Sequence, residues 1–142
     1  MLIYVYNPNT LQIEHYERAL SDAMPYVQNR TMTVREFRGS SHSTLLWTDL
    51  RAIATWNAFR TYYGAPIHVG YAFKRIWEGG HAAQSQHYAG VSFDTGQNLP
   101  AAKRNALHAA AVRFGQWSYV EPQSLTPTWV HYDKRLFPPA CP

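Results

Sequence analysis

Cysteine is nearly absent: Cys141 is the single one, so the chain cannot form an internal disulfide. Charge is also scarce. Asp, Glu, Lys and Arg supply 15% of the residues, against an ordinary level of about 25%. No apolar run approaches the roughly 18 residues of a membrane-spanning helix, which excludes that element. The opening residues, MLIYVYNPNT, lack the basic stretch and long apolar run of a signal peptide. The 13 Lys and Arg residues are scattered, so no concentrated footprint for nucleic acid is present. Too little Glu, Lys and Leu is present for a coiled coil.

What remains is aromatic and compact. The 142 residues fit one domain, 1–142, and 15% of them are Trp, Tyr or Phe. Such a composition excludes disorder and calls for a packed core. The net charge of +4 is modest; it suits ordinary solubility and is compatible with an anionic partner. Seven histidines in so charge-poor a chain stand out, because imidazole is the commonest metal ligand and general base.

Periodicity divides the chain into short elements. Residues 2–6 and 11–17 alternate around the turn Asn7-Pro8-Asn9-Thr10 and predict a hairpin. Residues 31–37 read as a further strand. A helix is expected over about 47–63, with Thr48 as its N-cap, Asp49 in its first turn and Gly64 as its stop. Strands are expected at 67–73, 90–94, 117–121 and 128–133. A second helix opens with Pro100 at its first position and runs to Phe114. Strands and helices do not alternate strictly, so the expected class is α+β, a mainly antiparallel sheet with packed helices.

The segment Ser85-Gln86-His87-Tyr88-Ala89-Gly90-Val91-Ser92-Phe93-Asp94 carries the chemistry. An imidazole on a loop and a carboxylate at the end of the next strand can converge on one cation, with Gly90 allowing the turn. His131 lies on the last strand, and Asp133 shares its face. Two imidazoles and a carboxylate leave a fourth tetrahedral position open, as in catalytic rather than structural zinc sites. Spacing alone also accommodates His87 as a hydrogen-bonded core or surface residue. His15, His42, His68, His81 and His108 carry no such pattern; His68 reads as a core residue of an apolar strand.

SQHYAGVSFD resembles the S-x-H-x-x-G-x-x-x-D motif of the zinc D-alanyl-D-alanine carboxypeptidases and endolysin peptidases, structural relatives of the hedgehog signalling domain. TWVHYD resembles their second motif, a strand carrying Trp-x-His. The resemblance covers about residues 45–135. It implies a peptidase-like core over 45–137, with 1–44 as an N-terminal extension, and a hedgehog-like α+β fold. It also implies zinc bound by His87, Asp94 and His131, and peptidoglycan stem peptides as substrate. The setting it implies is the bacterial cell envelope, or release on lysis. Two positions depart from the pattern. Val69-Gly70-Tyr71-Ala72 stands where the family has S-G-Y-R, whose arginine helps bind the substrate carboxylate; Lys74 and Arg75 are the nearest cations. Thr128 stands where many members have a catalytic glutamate. The base would then be Glu121, on the preceding strand, or Asp133, which could equally serve as a hydrogen-bond partner of His131 or pair with Lys134 or Arg135. The other reading of the same fold is a binding module for the cell wall or another partner, without hydrolysis.

Overall fold

The computed structural model of the chain describes residues 1–78 and 85–135. Gly79, Gly80, His81 and Cys141 lie outside the described residues. The class is α+β, as expected, with three α-helices among the described residues and predominantly antiparallel sheets.

The N-terminal hairpin forms as its alternation predicts. Strand β1 (Leu2–Asn7) pairs antiparallel with β2 (Gln12–Glu17). On the other side of β1 lies β3 (Leu45–Asp49), in parallel, giving the order β2-β1-β3. The core face of β1 carries Ile3 and Val5, both fully buried. Between β2 and β3 the fold departs from the expected strand. Residues Val34–Arg38 form a short helix, α1, where a strand over 31–37 is expected. A capping box decides it: Thr33 Oγ1 accepts from the Glu36 backbone N–H at 3.2 Å, and Glu36 Oε1 accepts from the Thr33 N–H at 3.0 Å.

Helix α2 (Leu50–Tyr63) starts three residues later than expected, because Trp47, Thr48 and Asp49 belong to β3. Its N-cap is therefore Asp49, whose carboxylate accepts from the Arg51 N–H at 2.8 Å. Gly64, at φ 75°, ends it as expected. Helix α3 (Ala101–Phe114) has Pro100 as its N-cap rather than its first helical residue.

The second sheet is fully antiparallel. It holds β4 (Val69–Tyr71), β5 (Ser92–Thr95), β6 (Tyr119–Val120) and β7 (Val130–Asp133), in the order β4-β5-β7-β6. The last strand among the described residues is thus an interior one. In the β5–β7 register Phe93 lies opposite Tyr132 and Asp94 opposite His131. One face of this pair buries Phe93 and Tyr132 in an aromatic core with Trp56, Phe59 and Trp117; Trp117 stacks on Tyr132 at 4.5 Å and Phe93 meets Trp56 at 5.5 Å. Residues from the first 44 positions, among them Ile3, Met24, Met32 and Phe37, join the same core. The other face of the pair carries Ser92, Asp94, His131 and Asp133, all buried and all polar.

The two sheets meet at the loop between β4 and β5. The Trp47 indole donates to the Tyr88 carbonyl at 2.8 Å, and the Thr48 hydroxyl donates to the Gly90 carbonyl at 2.7 Å. Gly90 sits at φ 73°, and a Cβ there would run into the Trp47 carbonyl oxygen. Gly90→Ala is therefore expected to cost roughly 2 kcal/mol or more. Gly64→Ala, at a similar φ but with only an ordinary contact to the Thr61 carbonyl oxygen at 4.0 Å, is expected to cost about 1 kcal/mol. Urea unfolding of the two variants checks this, and equal midpoints would refute the close-approach explanation.

Candidate metal centre

His87 is placed by a short capped turn. Residues Gln86–Ala89 form a single 3₁₀ turn, with Ser85 as N-cap; its hydroxyl accepts from the His87 N–H at 3.3 Å. The left-handed Gly90 stops the turn and feeds the chain into β5. Four residues on, Asp94 emerges on the polar face, directly across from His131. The motif residues thus have separate local roles: the serine caps, the glycine turns beneath β3, and the histidine and aspartate face each other.

The three expected ligands come together. Their donor atoms all lie within 4.8 Å of one another. His87 Nε2 is 3.1 Å from Asp94 Oδ2, and His131 Nδ1 is 2.7 Å from Asp94 Oδ1. Each imidazole is held from behind. His87 Nδ1–H donates to the Ala72 carbonyl at 2.6 Å, and His131 Nε2–H donates to Asp133 Oδ2 at 3.0 Å. With Nδ1 carrying the proton, His87 Nε2 turns a lone pair toward a carboxylate. Two such acceptors approach this closely only when a proton or a metal ion lies between them. Oxygen partners behind both rings are the usual support of metal-binding histidines.

Asp133 is anchored in turn. Arg135 Nε donates to Asp133 Oδ1 at 2.8 Å and Arg135 Nη2 to Oδ2 at 2.6 Å. The guanidinium lies 4.3 Å over the Tyr119 ring. A chain of contacts therefore runs from Arg135 through Asp133 and His131 to Asp94.

His87, Asp94 and His131 are 2%, 8% and 9% exposed, so their charges interact with little screening. Burial opposes ionisation of Asp94, but the hydrogen bonds from His131 and His87 prevail and hold its carboxyl at about 2. Burial likewise opposes charge on His131. The carboxylates of Asp133 and Asp94 outweigh it and push the imidazole up to about 9. Asp133, despite burial, is held below its ordinary value by Arg135 and His131.

The two candidate bases occupy different places. Asp133 is fully buried and spends its oxygens on His131 and Arg135, on the side of the ring away from Asp94. Glu121 follows β6, and its N–H donates to the His131 carbonyl at 3.0 Å, which sets it opposite His131 and on the same sheet face. It is half-buried, and its charge acts on Tyr119 and Arg135. Of the two candidate cations, Arg75 is bound to Glu78 at 3.3 Å. Lys74 instead holds its ammonium 5.8 Å over the Tyr71 ring, whose edge-on partner at 4.8 Å is His87.

The remaining described histidines stay outside the cluster. His15 stacks on Tyr4 at 4.3 Å, His42 is exposed, and His108 Nε2 contacts the Glu121 carbonyl at 3.0 Å. His68 is exposed rather than a core residue; the apolar side of that segment is Ile67 and Val69. Sequence reasoning missed the Ala72 carbonyl, Tyr119 and the Trp47–Thr48 brace. Of the two cations expected to pair with Asp133, Arg135 does so; it lies two residues on and so on the same side of an extended chain.

The donor set fits a divalent ion of intermediate softness: two imidazoles and one carboxylate, preformed and braced. The buried group His87, Asp94 and His131 could hold a metal ion. No protein-family model, curated protein or solved structure matches the chain.

His87→Ala and His131→Ala are each expected to abolish stoichiometric binding of a divalent metal ion, with zinc as the probe, in dialysed protein. Asp133→Asn is expected to weaken it by about 10–100-fold, measured by competition with a chelating dye. Unchanged zinc content in either alanine variant would refute the ligand set. A pH dependence follows as well. His131, raised from 6.5 to about 9, adds stability that is fully present below pH 6.5 and lost as pH rises through 9. Asp94, lowered from 3.8 to about 2, adds stability that is present above pH 3.8 and lost as pH falls through 2. The Tm of metal-free protein is expected to fall from pH 6.5 to 9, and to fall less with zinc, which binds the deprotonated ring. Parallel profiles with and without zinc would refute the linkage.

Proposed function

We propose that the chain is a zinc-dependent peptidase that hydrolyses D-amino-acid-containing peptide bonds of bacterial peptidoglycan. The observation that carries the reading is the preformed His87–Asp94–His131 cluster, three ligands among the described residues, with both imidazoles braced from behind. Three ligands fit a catalytic site better than a structural one, which closes all four positions. The choice of zinc and of peptidoglycan rests on the motif resemblance. The positive net charge suits anionic stem peptides.

Zinc bound there supplies Lewis acidity toward a peptide carbonyl and makes water a stronger acid. His87, Asp94 and His131 bind it. The Ala72 carbonyl and Asp133 fix which ring nitrogen of each histidine faces inward. Glu121 is the general base: it takes a proton from the attacking water and returns it to the leaving amine as the C–N bond breaks. Its position across from His131, half-buried and with no structural ion pair among the described residues, supports that role over Asp133. Asp133 acts through His131 as a positioning residue. Tyr71 and Tyr119, packed against His87 and His131, wall the approach.

Zinc-loaded protein is expected to release peptides from purified peptidoglycan, detected by chromatography and mass spectrometry of the digest. Glu121→Gln is expected to keep zinc and lose activity by about 100-fold or more. Zinc retention with no cleavage in any muropeptide set would overturn the peptidase reading in favour of a binding module. Full activity in Glu121→Gln would remove Glu121 as the base.

A further inference from the structure

A second polar site lies away from the metal centre. Gln28, Asn29, Thr31, Asn57, Arg60 and Thr61 line a cavity of about 160 Å³ between the 24–31 segment and α2. The lining contains no carboxylate and no large apolar side chain. Its one charge is Arg60. The arginine ion pairs among the described residues belong to Arg51, Arg75 and Arg135, so the Arg60 guanidinium is without a counter-charge there. Arg60 is half-buried while Gln28, Asn29 and Thr61 are exposed, and a guanidinium lining such an open cleft offers several donors to an acceptor-rich ligand.

The wall above the cavity is built at a cost. Tyr26, Asn29 and Arg30 have φ values of 66°, 55° and 52°, in the left-handed region that non-glycine residues seldom adopt. Asn57 holds this segment in place. Its Oδ1 accepts from the Gln28 N–H at 3.0 Å, and its Nδ2 donates to the Tyr26 carbonyl at 2.7 Å. Thr31 Oγ1 accepts from the Trp56 indole at 3.0 Å, which leaves its own proton to donate elsewhere. The hydroxyls of Thr31 and Thr61, the amides of Gln28 and Asn29 and the Arg60 guanidinium therefore form a donor-rich lining with one positive charge. Trp56 and Phe93 lie between this cavity and the polar face of β5, so the two sites are separate.

We propose that this cavity is an oxyanion-binding site, taking a carboxylate or phosphate group on the Arg60 guanidinium with the threonine hydroxyls as auxiliary donors. The assignment is independent of the peptidase reading.

The test is a titration of the full, zinc-loaded chain with inorganic phosphate and, separately, acetate at constant ionic strength, followed by amide NMR. Saturable shifts centred on Asn29, Thr31, Arg60 and Thr61 are expected with at least one anion. Preference for phosphate would assign a tetrahedral group, and preference for acetate a carboxylate. Arg60→Ala is expected to weaken binding about tenfold or more while keeping a dispersed spectrum. Thr61→Val, which keeps the shape of the side chain, is expected to weaken it by a smaller factor. Shifts that equal chloride reproduces, shifts confined to the metal-centre residues, or equal affinity in Arg60→Ala would overturn the proposal.

Discussion

The register of β5 against β7 is the constraint on which the site depends. It sets Asp94 directly opposite His131 and Ser92 opposite Asp133, so four polar side chains share one buried strip. Burying such groups is costly unless each finds a partner. Arg135 answers Asp133, Asp133 answers His131, and His131 with His87 answers Asp94. A slip of β7 by one residue would turn His131 and Asp133 into the aromatic core and Tyr132 outward. The hydrophobic pattern of the opposite face therefore enforces the geometry of the polar one.

Support for His87 comes from a different part of the molecule. Its turn is gripped by Trp47 and Thr48 at the end of β3, the strand that lies parallel to β1. The first forty-odd residues, which no motif explains, thus hold β3 against the His87 loop. Phe37 packs on Phe73 at 5.8 Å, and Phe73 on Trp47 at 4.7 Å, so the contact between the two halves is aromatic as well as polar.

The α+β class and the two long helices were legible because apolar spacing and glycine stops are local signals. The grouping of His87, Asp94 and His131 was legible only through the motif resemblance, since spacing alone left His87 a core or surface residue. The short helix Val34–Arg38 is not legible from alternation, since Met32 and Val34 between polar neighbours suit a strand equally; only the Thr33–Glu36 capping box marks it. The boundary of α2 was displaced because Trp47 and Thr48 suit a helix face and a strand equally; pairing with β1 decides it. The role of Asp133 stayed open in sequence, where a base and a hydrogen-bond partner look alike. What separates them is which ring nitrogen of His131 it meets, and that is a property of the fold.

The position of β7 also bears on how the molecule comes to exist. It is the last strand among the described residues yet lies between β5 and β6. As the polypeptide leaves the ribosome, β1, β2 and β3 can complete their sheet once residue 49 has emerged. The second sheet cannot close until residue 133 inserts between strands already made. During that interval β5 and β6 present unpaired edges, a hazard for association between nascent chains. The same order means that a shortened translation product lacking β7 carries neither His131 nor Asp133. A preformed ligand set is therefore confined to chains synthesised past that strand.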